Sequence, residues 1–368
     1  MRTRILKAII LVLTLPCCAQ VLAANLVSAA ESNVSAIASS DVFLLAPPKE
    51  AVPIVVSARF DLYDINEINE EMETFEFTGV LRLRWKDPRQ AFDPTATGVD
   101  EKVFQGDYQF NELSTGWYPQ VVLVNQAGSY QQLGVVLRIQ PDGVSTLVAT
   151  VNATAETELD MRRFPFDGHR LKAVFEVLGF DRDEIRLQVD SDKVNDSSDE
   201  ISVPQWNITA VESLAQDHSS RYAGPDRVSS ALIMVVDVQR NSFYAIRLVA
   251  FPLIVIVLLS FSVFWMERSS LGDRISVSFI GILTGVSYQI VTSASLPHIS
   301  YMTLMHGFLN ASFMMMCLTV VINLAVGALD KHGKYELGDR VDRNCRWIFP
   351  LVYFGLLVIM AAVTFVFF

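Results

Sequence analysis

The chain has 368 residues, 51% of them apolar, and a formal net charge of −11. Residues 24 to 240 hold 18 Lys and Arg against 34 Asp and Glu, while the apolar residues concentrate in the last third. So acidic a surface gathers cations and repels anions, which argues against a nucleic-acid partner.

The chain begins with a basic front (Arg2, Arg4, Lys7), a short apolar run and small residues ending at Ala23. This pattern predicts a secretory signal peptide over 1–23, with Cys17 and Cys18 leaving in it. Residues 24–51 are small and polar with little periodicity and predict a loose arm.

From residue 52 the pattern becomes β. In "FEFTGVLRLRW", Phe75, Phe77, Leu81, Leu83 and Trp85 form the apolar set, with Arg82 and Arg84 between. Further runs, "LGVVLRI", "STLVATV", "RLKAVFEV" and "ALIMVVDV", are separated by polar breaks such as "QPDGVS". Their spacing predicts a sandwich of about ten strands over 52–240, with little helix. It has no cysteine, so packing rather than disulfides must hold it together.

The last strand leaves only Arg240 to Ser242 before the first span, and four stretches lack charge, 248–266, 275–297, 302–329 and 347–368. Each is long enough to cross a bilayer, where about 20 helical residues suffice. The transmembrane domain is read as 241–368, with helices at about 241–266, 272–295, 301–329 and 346–368. Pro252 kinks the first span, which is tolerable where neighbouring helices compensate. Residues 330–346 read as a short charged loop with no room for a domain. A signal peptide plus four spans places the large domain outside, for a multi-pass protein of the cell (inner) membrane with its large domain periplasmic or extracellular.

The second span carries hydroxyls where lipid would prefer hydrocarbon. Asp273, Ser276, Ile280, Leu283, Ser287, Ile290 and Ala294 recur at steps of three and four and share one helical face. Acidic, then hydroxyl, then apolar, then hydroxyl, this face suits water, and several copies around an axis would enclose it, with Ile280 and Leu283 as a dewetting gate. A neighbouring stripe, Arg274, Ser278, Gly281, Gly285, Tyr288, Thr292 and Ser295, is as polar. Periodicity does not choose between them, yet the choice sets charge selectivity through Asp273 or Arg274. The glycines suit packing and the exported domain is acidic, which favours the first face.

Seven motifs occur in order: "WKDPR" (85–89), "GWYPQVVLVN" (116–125), "RRFPFDGH" (162–169), Arg240, Pro252, "GDR" (272–274) and "LPHISYMT" (296–303). Over residues 55–368 the chain resembles a prokaryotic pentameric ligand-gated ion channel of the Cys-loop receptor superfamily. It lacks the signature-loop cysteines, whose places fall at Thr157 and Leu171, and has Gln120 where many members have aspartate. The resemblance implies an all-β, immunoglobulin-like extracellular sandwich followed by a four-helix transmembrane domain. It further implies a homopentamer in a lipid bilayer passing monovalent cations, gated by an unknown small ligand, divalent ion or proton. Glu70, Asp167 and Arg240 match the family's charged cluster where sandwich meets membrane, and Pro297 with His298 lies on the loop this cluster pushes.

The ligand pocket is less legible. The family's cation-caging aromatics are replaced here by Val80, Val124 and Leu178, so an amine neurotransmitter is not supported. Phe175, Phe180, Trp206 and Tyr222 remain as candidates, and Arg82 and Arg138 suit an acidic ligand. Asp190, Asp192, Asp196 and Asp199 supply hard oxygen ligands for Ca²⁺ as a modulator, without the glycine and spacing of an EF-hand. Protons are a further trigger, through His169, His298 and the carboxylates. No cofactor is required, and no nucleophile with its base, metal constellation or phosphate loop suggests an enzyme. The alternative is a membrane-anchored receptor that binds ligand but does not conduct.

Overall fold

The computed structural model describes residues 46–48, 52–106, 116–190, 201, 203–267, 271–293, 296 and 299–367. The predicted signal peptide and nearly all of the arm lie outside these residues.

Among the described residues, ten strands form two sheets. β1 (Ile54–Asn69), β2 (Thr74–Lys86), β3 (Lys102–Gln105), β5 (Gln126–Ile139), β6 (Val144–Glu156) and β8 (Ile185–Val189) form one, in the order β3-β5-β6-β2-β1-β8. β4 (Val121–Leu123), β7 (Gly168–Val177), β9 (Trp206–Ser219) and β10 (Val228–Arg240) form the other, in the order β4-β7-β10-β9. Alternating burial along β2 and β6 turns one face of the larger sheet inward. Phe60 stacks on Phe175 of the opposite sheet with centroids 5.2 Å apart and meets Phe77 edge-on at 5.6 Å. Gly79 interrupts the apolar set of β2 because a Cβ there would run into the Phe60 ring.

Two of the sequence motifs prove to be structural joints. Asp87 of "WKDPR" is buried and accepts hydrogen bonds from the Arg89 backbone N–H, Nε and Nη2 at 3.1, 2.8 and 2.7 Å. It lies against the turn before β6, where Gly143 takes φ +83° and leaves no room for a Cβ beside the Asp87 carbonyl. Asn125, closing "GWYPQVVLVN", donates to the carbonyls of Glu156 and Lys172, both at 2.7 Å, and accepts from Val174 N–H at 3.0 Å. One side chain thus fastens the end of β6 to β7 of the opposite sheet.

Among the described residues four helices are long and apolar enough to cross a membrane, and β10 runs directly into the first of them, α1 (Ser242–Trp265). The others are α2 (Leu271–Ser293), α3 (Leu304–Lys331) and α4 (Tyr335–Phe367). A β-sandwich followed by four such helices makes this a multi-pass membrane protein. Proline at position 252 cannot donate to the Leu248 carbonyl one turn earlier. Tyr288 of α2 supplies the missing donor through its hydroxyl, and α1 widens to a π-helical turn over Ile246–Ala250.

The reading of 330–346 as a charged loop is corrected. Only His332 to Lys334 separate α3 from α4, and α4 starts at Tyr335, well before the expected residue 346. Gly338, Asp342, Cys345, Phe349 and Tyr353 form one buried stripe at helical spacing, so the charged segment continues the packed face of the apolar one.

Candidate functional site

Two sites emerge, one where sandwich meets helices and one along α2. At the first, β10 ends on Arg240, and the turn before β7 carries Asp167. Arg240 Nε and Nη2 donate to the two Asp167 oxygens at 2.9 and 3.1 Å, and Nη1 lies 2.6 Å from Glu70 Oε1 in the turn after β1. The guanidinium is sandwiched by Trp206 and Phe164, whose ring centroids lie 4.1 and 4.8 Å away. His169 Nε2 lies 2.6 Å from the Asp167 carboxylate and was not foreseen as part of this cluster. Burial pushes the Asp167 carboxyl up, but hydrogen bonds from His169 and Arg240 outweigh it and leave it below its ordinary value of 3.8.

The sequence motif around Asp167 also reaches the helices. Ser242 Oγ donates to the Pro165 carbonyl at 2.7 Å, and Leu304 N–H, opening α3, donates to the Arg162 carbonyl at 3.0 Å. Tyr301 places its hydroxyl between Met161 N–H and the Leu159 carbonyl, at 3.0 and 3.1 Å. The three expected coupling residues Glu70, Asp167 and Arg240 are therefore together, while Pro297 and His298 lie outside the described residues. Tyr301, in "LPHISYMT", is the contact that sequence reasoning missed; a tyrosine four residues past a proline loop gave no signal of its own.

Along α2 the two competing stripes separate cleanly. Arg274, Ser278, Gly285 and Thr292 are buried, Arg274 to 2% exposure. Asp273, Ser276, Ile280, Leu283, Ser287 and Ile290 are all exposed, Ile280 at 62% and Leu283 at 68%. Ala294 and Ser295 lie outside the described residues. The buried stripe is used up in packing: Gly285 leaves room for Met316 of α3, and Asn323 of α3 donates to Ser278 Oγ at 2.9 Å. Arg274 forms a fork with Asp342 of α4, both contacts at 3.0 Å.

The ligand candidates do not converge. Phe175 is corrected: it is fully buried in the inter-sheet core and presents no surface to a ligand. Trp206 is corrected too, since it lies on Arg240 at the helix-facing end of the sandwich. Phe180 packs edge-on against Trp117 at 6.2 Å. Tyr222 is exposed in the β9–β10 turn. Arg82 and Arg138 stand on the outer face of the larger sheet, paired with Asp61 at 3.2 Å and Glu101 at 2.8 Å. A cavity of about 340 Å³ in the sandwich is lined by Leu81, Tyr118, Gln120, Tyr130 and Leu178 among others, and by none of these six residues. Of the calcium candidates, Asp192, Asp196 and Asp199 lie outside the described residues, and Asp190 closes β8. Among the described residues no three or more His, Cys, Asp or Glu side chains group as a metal site.

Comparison with known proteins agrees with this division. Residues 43–242 match the neurotransmitter-gated ion-channel ligand binding domain, and residues 249–336 the neurotransmitter-gated ion-channel transmembrane region. The chain is 25% identical over 315 residues to a proton-gated ion channel of Gloeobacter violaceus, covering 86% of this chain and 84% of that protein. It is 25% identical over 292 residues to the human gamma-aminobutyric acid receptor subunit rho-3, and 26% identical over 305 residues to the rho-1 subunit of Mus musculus. Those matches cover 78% and 80% of this chain, but 61% of each receptor subunit's own length.

Proposed function

The chain belongs to the neurotransmitter-gated ion-channel family, and on that footing we propose that five identical copies surround a central, cation-selective pore lined by α2. It is a ligand-gated channel subunit and not an enzyme. The observation that carries the reading is the exposure of Asp273, Ser276, Ile280, Leu283, Ser287 and Ile290 along one face of α2, opposite a face consumed by packing.

In this arrangement Asp273 forms a ring of carboxylates at the inner mouth, which concentrates cations and rejects anions. Ser276 narrows the path. Ile280 and Leu283 form the apolar constriction that empties of water when closed, and a small tilt or rotation of α2 opens it. The sandwich senses the trigger on the periplasmic or extracellular side of the inner membrane. The Glu70–Arg240–Asp167 cluster, with Tyr301 and Leu304 beneath it, passes the movement to the helices. The trigger is a small molecule, a divalent ion or a proton; the similarity to a proton-gated ion channel of Gloeobacter violaceus supports the last of these. No cofactor is needed for this mechanism.

The experiment is the reversal potential of Leu283→Ser channels in a planar bilayer under a NaCl gradient, because a polar gate leaks without a known ligand. A shift toward the sodium potential is the expected result. A chloride shift would reject the Asp273 ring, and silence from well-inserted protein would favour the non-conducting receptor.

A further inference from the structure

Arg274 directly follows the residue that lines the inner mouth, and a positive ring there would oppose the selectivity that Asp273 confers. The chain disposes of this charge completely. Arg274 turns into the helix bundle, where Nη1 and Nη2 donate to Asp342 Oδ2 and Oδ1, each at 3.0 Å, and Nε donates to the Val263 carbonyl at 3.1 Å. Both side chains are buried, with exposures of 2% and 5%. All three guanidinium nitrogens are therefore held, two by a carboxylate and one by the last turn of α1. Arg346, one turn further along α4, donates through Nε to the neighbouring Phe264 carbonyl at 2.9 Å. The first turns of α4 thus clamp the base of α2 from behind.

Resting on the pore assignment above, we infer that Asp342 is a selectivity-determining residue acting from outside the pore: it cancels the Arg274 charge and fixes the rotation of α2 that leaves Asp273 facing water. Adjacent helical residues differ by about 100° in direction, so fastening Arg274 to α4 aims Asp273 away from the bundle. A bidentate arginine–carboxylate pair is directional enough to set such an angle. Without the carboxylate, an uncompensated cation remains at the level of the Asp273 ring, and a buried charge in that state draws in water and anions or turns toward the mouth. Asp342 is a positioning residue, since it touches no permeating ion.

The test uses the full chain carrying Leu283→Ser, with Asp273→Asn as a control on the pore assignment itself. In a NaCl gradient, Asp342→Asn is expected to lower the sodium-to-chloride permeability ratio roughly tenfold, the scale of adding a unit charge beside a water-lined mouth. The double variant Arg274→Gln with Asp342→Asn carries no stray charge but also no fork, and is expected to recover the part of the ratio lost to the charge and not the part lost to rotation. Arg274→Lys keeps the charge but loses the fork; it is the milder probe should Asp342→Asn fail to insert, and a smaller shift in the same direction is expected. An unchanged ratio in Asp342→Asn, or in Arg274→Lys where that replaces it, overturns the inference. So does a double variant as unselective as Asp342→Asn. If Asp273→Asn itself leaves the ratio unchanged, the pore assignment fails instead.

Discussion

Asp167→Asn tests whether the joint between sandwich and helices moves or merely holds. Asparagine preserves the size of the side chain and one acceptor oxygen, but removes the charge that receives Arg240 at 2.9 and 3.1 Å. Removing one partner of a buried ion pair costs about 3–5 kcal/mol. Here Glu70 remains 2.6 Å from Arg240 Nη1, and the amide oxygen keeps one bond, so about 2 kcal/mol per subunit is the expected loss. Only the part that differs between closed and open states enters gating. If that part is a quarter, about 0.5 kcal/mol per subunit sums over the proposed pentamer to about 2.5 kcal/mol, a change of about sixtyfold in the open-to-closed ratio. In the proposed channel the unliganded sandwich would hold the pore shut, so weakening the joint is expected to raise spontaneous opening. Single-channel recording of Leu283→Ser with and without Asp167→Asn, in a planar bilayer and without agonist, reads both open probability and unitary conductance. A rise in open probability at unchanged conductance is expected. Unchanged open probability in well-inserted channels would refute a moving joint and leave a static fastening, and altered conductance would refute the separation of joint from pore.

Two further outcomes follow from the same geometry. The Asp167 carboxyl titrates below its ordinary 3.8, so its contribution to stability is present above that value and is lost as pH falls through the lower folded value. The difference in melting temperature between the parent and Asp167→Asn is therefore expected to stay constant from about pH 8 to 5 and to shrink only in stronger acid; a difference that disappears by pH 5 would contradict it. Tyr288→Phe removes the hydroxyl that serves the Leu248 carbonyl left without a partner by Pro252, and is expected to lower stability by about 1–3 kcal/mol in a detergent melt, whereas no change would mean that another donor serves that carbonyl.

The sequence made some of this legible for identifiable reasons. Steps of three and four in α2 specified two stripes without ranking them, and the bundle ranked them by burying Arg274. Arg240, Asp167 and Glu70 could be grouped because a resemblance carried each across singly. The errors also have causes. Alternation along β7 tells which residues share a face but not whether that face meets the other sheet or a ligand, so Phe175 stood as a ligand candidate when it is core. Trp206 opens β9, and nothing local reveals that Arg240, at the far end of the neighbouring strand, pairs with it in register. The start of α4 was missed because its packed stripe places Asp342 where an apolar residue would signal a core face.

The hydroxyls in α2 gain their meaning from the contrast with α4. Both helices leave long faces uncovered by the rest of the chain, and each packs on α1 and α3. From residue 347 onward, where α4 is apolar, its uncovered face includes Trp347, Leu351, Val352, Val358 and Ile359, without a hydroxyl among them, as a surface against lipid must be. The uncovered face of α2 mixes Ser276 and Ser287 with Ile280, Leu283 and Ile290, and carries Asp273 at one end. A lipid-facing helix gains nothing from serines and loses by an aspartate. A helix facing water part of the time needs polar groups where water persists and apolar ones where it must be expelled. The two faces therefore call for different surroundings, and the proposed ring of subunits would supply both at once, with α2 turned toward the axis and α4 toward the bilayer.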